Sequence, residues 1–187
     1  MSALKSRTRW EAVQALFFYF LLYAIIGWIY EVFLEVVVYR WGYSDRGVLF
    51  GPYCPVYGVG ALAFLLCFGK FAKKQGGAWF RWLWRPLALF FGCMIVATAI
   101  ELGTSYWLEA ATGSWPWQTY EDYAIQFQGR IALSPSIRFG LGGVLFLLGL
   151  QPLFERLVGA MQPRVRQYVF WITASLFLLD CLLTMLL

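Results

Sequence analysis

The sequence predicts an all-α integral membrane protein of about five transmembrane helices, with the N-terminus in the cytoplasm and the C-terminus outside. Three observations predict it. The chain has 187 residues, of which 61% are hydrophobic and only 13% charged, with a mean hydropathy of +0.64. A soluble domain of this size has too little interior to hide that much apolar surface. Five apolar runs are each long enough to cross a bilayer, which takes about 20 residues. The segments between the runs also alternate along the chain between rich and poor in Lys and Arg.

The first run spans Val13 to Tyr39, the second Pro52 to Gly69 and the third Leu87 to Leu108. The fourth spans Ser136 to Leu157 and the fifth Tyr168 to Leu187. Lys5, Arg7 and Arg9 precede the first run, but that run is too long for a signal peptide and lacks a small-residue cleavage site, so it reads as a retained helix. The loop with Lys70, Lys73, Lys74, Arg81 and Arg85 is basic, as is the one with Arg156, Arg164 and Arg166. The segments 40–51 and 110–135 are poor in Lys and Arg. The positive-inside rule therefore places the N-terminus and both basic loops on the cytoplasmic side. Trp79, Trp82 and Trp84 suit an anchor at that face. The longest non-helical stretch, from Gly113 through Trp115-Pro116-Trp117 to Gln128, suggests a lid on the outer membrane surface.

The whole chain, 1–187, reads as one polytopic membrane domain with an internal repeat. The first half runs Glu31, Arg46-Gly-Val-Leu-Phe-Gly-Pro52, Gly58-Val-Gly60 and an apolar stretch. The second runs Glu101, Arg130-Ile-Ala-Leu-Ser-Pro135, Gly140-Leu-Gly142 and an apolar stretch. Both go from inside to outside and back, so the expected repeats, about 13–69 and 87–157, are parallel. The helix at about 168–187 stands outside the pattern.

Net charge is +5, but the basic residues sit in short inter-helix loops, which excludes a nucleic-acid surface. Four cysteines without a CxxC spacing and the absence of histidine argue against zinc, His-ligated haem and a His-activated nucleophile. No cofactor or metal is expected.

The remaining chemistry is carried by charges inside or beside the runs. A charge at the bilayer centre costs about 3 kcal/mol on insertion scales, so such groups pair or face a cavity. Glu31 and Glu101 lie in the outer halves of their runs, with Arg46 and Arg130 approaching from the outer loops and Arg138 in the first turn of the fourth helix. The natural pairs are Glu31 with one of the two loop arginines and Glu101 with the other. Glu35, Glu109 and Asp180 read as ion pairs or interfacial groups. Helix N-termini at the second and fourth runs each add roughly half a positive charge. With the arginines they suit a carboxylate or phosphate. Tyr53 and Cys54 sit beside Arg46 at the start of the second run; Cys54 is either a packing residue or a thiol activated by that helix end. The expected substrate-binding set is Glu31, Arg46, Tyr53, Cys54, Glu101, Arg130 and Arg138.

The runs Gly27-Trp-Ile-Tyr-Glu31, Asp45-Arg-Gly-Val-Leu-Phe-Gly-Pro-Tyr-Cys-Pro-Val-Tyr-Gly58, Ile100-Glu101 and Gln128-Gly-Arg-Ile-Ala-Leu133 carry a resemblance. Over Phe18 to Pro152 the chain resembles the bacterial "putative ABC-transporter permease" family of CmpB-like proteins. The resemblance implies a multi-pass permease of the bacterial cytoplasmic membrane. The chain has no Walker motif, so an ATPase would be a separate subunit. Gln151-Pro152 stands where relatives would carry His-Pro.

Three classes of function stay open. A permease would bind an anionic or zwitterionic solute or amphiphile in an outward-facing pocket between the repeats. A membrane enzyme would act on an outer-leaflet lipid or lipid-linked substrate. An assembly subunit would use the glycine-rich fourth helix, including Gly140, Gly142, Gly143 and Gly149, to pack on a partner or on a second copy.

Overall fold

The structure, a computed structural model, describes residues 8–38, 40, 42–43, 47, 49–74 and 76–186. Among the described residues, five helices are long and apolar enough to cross a membrane: Arg9–Val38, Pro55–Ala72, Phe80–Thr112, Leu133–Ala160 and Pro163–Leu186. The protein is a multi-pass membrane protein with the expected number of spans. Most of the helices overrun their apolar runs. The third has 33 residues, about 50 Å at 1.5 Å per residue, against a hydrocarbon core of about 30 Å. The expected starts shift accordingly. The second helix opens at Pro55, with Pro52 in a tight turn before it where the Tyr53 N–H donates to the Gly51 carbonyl at 2.7 Å. The fourth opens at Leu133, with Pro135 inside its first turn, where a missing N–H costs nothing.

Besides the π turn that ends the first span at Leu34–Val38, two of the helices widen into π turns, at Phe80–Trp84 and Leu145–Leu150. Each ends two residues before a proline, Pro86 and Pro152. A proline ring crowds the carbonyl four residues back, here Trp82 and Leu148, and both lie inside the wide turns. The π geometry makes room for the ring without ending the helix.

The chain divides into two compact units. One comprises residues 1–63 and 151–187, the other residues 64–150.

In the first unit, Thr8 and Glu11 form a capping box at the start of the first span. Arg166, at the start of the fifth span, reaches back to the Gln14 amide oxygen at 3.1 Å and to the Glu11 carboxylate. A seam of rings continues this contact: Phe170 meets Trp10, Phe17 and Phe18, and Phe177 meets Phe20. The first and second spans cross at glycines. A Cβ on Gly58 would lie 2.6 Å from the Phe20 carbonyl oxygen, and one on Gly27 would enter the Tyr57 ring.

In the second unit, Phe64, Ala72, Leu89, Cys93 and Leu147 form a core. The third and fourth spans also cross at glycines. A Cβ on Gly140 would lie 2.9 Å from the Phe90 carbonyl oxygen, and one on Gly143 would strike Cys93. Higher up, the Thr98 hydroxyl lies 2.8 Å from the Ser136 hydroxyl, which donates to the Ala132 carbonyl. The connecting segment between these spans is structured. Gly113 ends the third span in a left-handed cap with φ of 83°, a 3₁₀ turn spans Gln118–Asp122, and β1 (Gln126–Phe127) pairs antiparallel with β2 (Ile131–Ala132).

Candidate functional site

Both carboxylates singled out in the spans are capped by a tyrosine hydroxyl. In the first unit the Tyr57 hydroxyl donates to Glu31. In the second, the hydroxyl of Tyr120, from the 3₁₀ turn, donates to the Glu101 Oε1 at 2.8 Å. The Glu101 Oε2 is buried and has no hydrogen-bond partner among the described residues. Tyr120 lies outside the spans, and its phenol is held well above its ordinary pKa, first by burial and then by the Glu101 charge.

Arg130 is pinned by two rings and by Glu109, which from sequence reads as an ion-pair residue. Its guanidinium lies 4.2 Å from the centroid of Tyr106 and 4.0 Å from that of Trp115. It pairs with Glu109, not with Glu101. The local backbone explains this aim: Gln128 and Gly129 both take positive φ, 53° and 62°, and the Arg130 N–H closes the turn on the Phe127 carbonyl at 3.0 Å. Trp115 and Trp117 then donate their indole N–H groups to the Gly129 and Arg130 carbonyls. The segment is a built cap over the end of the third span.

Arg138 takes a different position. Its guanidinium donates to the Tyr123 hydroxyl at 2.9 Å and to the Ser134 hydroxyl at 3.1 Å. These three residues, with Ala124, Ile125, Leu133 and Ile137, line a concavity of about 340 Å³. Ile125 and Leu133 are exposed, so the groove has a cationic head, apolar walls and the N-terminal end of the fourth span beside it.

In the first unit, Asp180 of the fifth span accepts the N–H groups of Phe50 at 3.0 Å and Gly51 at 2.8 Å, together with the Tyr53 hydroxyl. Tyr53 is thereby engaged by Asp180, which from sequence reads as an ion pair or interfacial group. Its phenol is also held above its ordinary pKa, chiefly by burial and then by the Asp180 hydrogen bond. Cys54 is buried, and its N–H donates to the Ala24 carbonyl at 2.9 Å. Arg46, and with it the expected pairing to Glu31, lies outside the described residues.

The family model described as "Putative ABC-transporter type IV", of the CmpB type, matches residues 18–185. The chain belongs to this family. No curated protein and no solved structure matches it. The family match extends past the resemblance at Phe18 to Pro152 and takes in the fifth span, including Asp180.

In this CmpB-type chain, Gln151 is a further residue whose place the sequence did not reveal. It is buried at mid-span, accepts the Tyr23 hydroxyl at 3.1 Å and donates to Glu155 at 3.1 Å. A buried polar pair on a membrane helix is costly unless satisfied, and Tyr23 with Gln151 satisfy each other. The signal available in the sequence was a glutamine flanked by apolar residues within a run.

Proposed function

We propose that this chain is the membrane-embedded, permease-type component of a transport system in a bacterial cytoplasmic membrane, energised by a separate ATPase subunit. Its substrate is an anionic or zwitterionic solute or amphiphile taken from the outer side. The observation that carries this reading is the groove at the start of the fourth span. Arg138 and the helix N-terminus supply positive charge, while Ile125, Leu133 and Ile137 supply apolar walls. A molecule with an anionic head and an apolar body matches both.

We also propose that the spans form two parallel repeats. In support, Gly58 crosses Phe20 as Gly140 crosses Phe90, and each phenylalanine lies the same distance in sequence before its carboxylate, Glu31 or Glu101. Buried positions agree in register: Tyr19, Tyr23 and Glu35 of the first span correspond to Leu89, Cys93 and Ser105 of the third.

The test is counterflow of labelled carboxylates, phosphates and short-chain lysophospholipids in proteoliposomes, for the wild type and Arg138→Gln. Uptake by the wild type that falls in Arg138→Gln supports the proposal. Conversion of a phospholipid headgroup without flux would replace it with the enzyme reading. Flux unchanged in Arg138→Gln would remove the groove from the transport path.

A further inference from the structure

We infer that the opposite, basic end of the second unit carries a binding site for an anionic phospholipid, with the phosphate between Arg81 and Arg85 and an acyl chain along Pro86 and Leu148. These residues and Trp82 line a concavity of about 490 Å³. It is separate from the Arg138 groove, and the inference does not depend on the transport reading.

Charge selects the occupant. Lys70, Lys73, Lys74, Arg81 and Arg85 crowd this end, and no acidic residue occurs between Phe64 and Ile100. Basic pockets between membrane helices fit anionic headgroups in this way. Arg85 is pre-positioned: its Nη1 donates to the Ala72 carbonyl at 3.2 Å, at the C-terminal end of the second span. Its Nε is buried and has no hydrogen-bond partner among the described residues. A phosphate oxygen in the concavity is an acceptor of the right charge for the other N–H groups of this guanidinium.

The surrounding surface places the site at headgroup depth. Trp79, Trp82 and Trp84 are exposed at 67%, 82% and 52%, as expected of rings in the interfacial belt. Pro86 and Leu148 lie on the apolar parts of the third and fourth spans. The cationic and apolar halves of the concavity therefore follow the same order as a phospholipid in a leaflet. The π turns at Phe80–Trp84 and Leu145–Leu150 contribute Arg81, Trp82 and Leu148, so the two proline-adapted stretches shape the cavity.

The experiment uses the full chain in neutral detergent, titrated with dioleoyl phosphatidylglycerol or dioleoyl phosphatidylcholine and read by native mass spectrometry and thermal unfolding. Phosphatidylglycerol is expected to bind several-fold more tightly than phosphatidylcholine. Arg81→Gln removes one cation, which corresponds to about a fivefold loss for phosphatidylglycerol, and Arg81→Lys retains most of the binding. Lys70→Gln removes the same charge from the same end but away from the cavity, and should lose less than twofold. Arg81 is exposed, and its substitution leaves the Arg85 contact to Ala72 in place, so the variant remains folded. Equal affinity for the two lipids overturns the proposal. Equal losses in Lys70→Gln and Arg81→Gln also overturn it, because they indicate diffuse attraction without a site.

Discussion

Arg130 lies between the rings of Tyr106 and Trp115, its guanidinium carbon 4.2 Å and 4.0 Å from their centroids, with Glu109 closing the side. The arginine thus fastens the connecting segment to the end of the third span. Each ring contact is worth about 0.5–1 kcal/mol or more when desolvated. The ion pair adds about 1 kcal/mol or less, because Glu109 is 44% exposed. Arg130→Ala should therefore lose about 2–3 kcal/mol in thermal or denaturant unfolding. Arg130→Lys should recover less than half of it, because an ammonium cannot present a flat face to two rings.

The two Gly-x-Gly motifs give a matched set. Gly58 and Gly140 meet backbone oxygens at the crossings, whereas a Cβ on Gly60 or Gly142 would meet nothing within 4 Å. Gly58→Ala and Gly140→Ala should each destabilise by about 1–3 kcal/mol through overpacking. Gly60→Ala and Gly142→Ala should be neutral or gain up to about 1 kcal/mol from helix propensity. Melting temperatures of the four purified variants decide it.

Asp180 and Tyr53 should be coupled. Asp180→Asn leaves one carbonyl oxygen to serve two backbone N–H groups and a hydroxyl, at a cost of about 1–3 kcal/mol. Tyr53→Phe removes one of those donors. A double-mutant cycle should give an interaction energy of at least about 0.5 kcal/mol; strict additivity would show that the hydroxyl contributes nothing through Asp180.

The phenols of Tyr53 and Tyr120 are both raised in the folded protein. An unfolded tyrosine loses its proton near pH 10, while the folded one keeps it to higher pH. Above pH 10 the folded state thus holds more protons, so stability is intact below that pH and drains as pH rises further. Tyr120→Phe should flatten part of this slope in unfolding measurements between pH 9 and 11.

The charge distribution also fixes an expected orientation. A phosphatase fused after Leu187 should be active in the periplasm, and one fused within 73–77 inactive. The reverse pattern would invert the proposed sidedness of the Arg138 groove.

All five spans were legible because a bilayer demands long apolar runs, and those runs have no alternative reading in this composition. Their ends were not, because helices continue past the apolar segment wherever the backbone permits, as at Phe80–Trp84 and Glu109–Thr112. The charged residues near the connecting segments were recognised, but their partners were not. Sequence places Glu101 and Glu109 on one helix face, and only the turn at Gln128–Gly129 aims Arg130 at the second. The tyrosines capping Glu31 and Glu101 were passed over because tyrosine is commonplace at membrane interfaces. Asp180 reads from sequence as an ion pair or interfacial group, because nothing near it in the chain shows the turn that it serves. The amides preceding Pro52 take Asp180 as their acceptor, a pairing that no local feature of the sequence marks.

That acceptor comes late. The amides of Phe50 and Gly51 are satisfied by a carboxylate 130 and 129 positions downstream, on the fifth span. During translation the turn before the second span therefore lacks this acceptor until the fifth span has been made. The turn that leads into the second span is thus closed by a residue made some 130 positions later, so its final geometry follows the arrival of the fifth span.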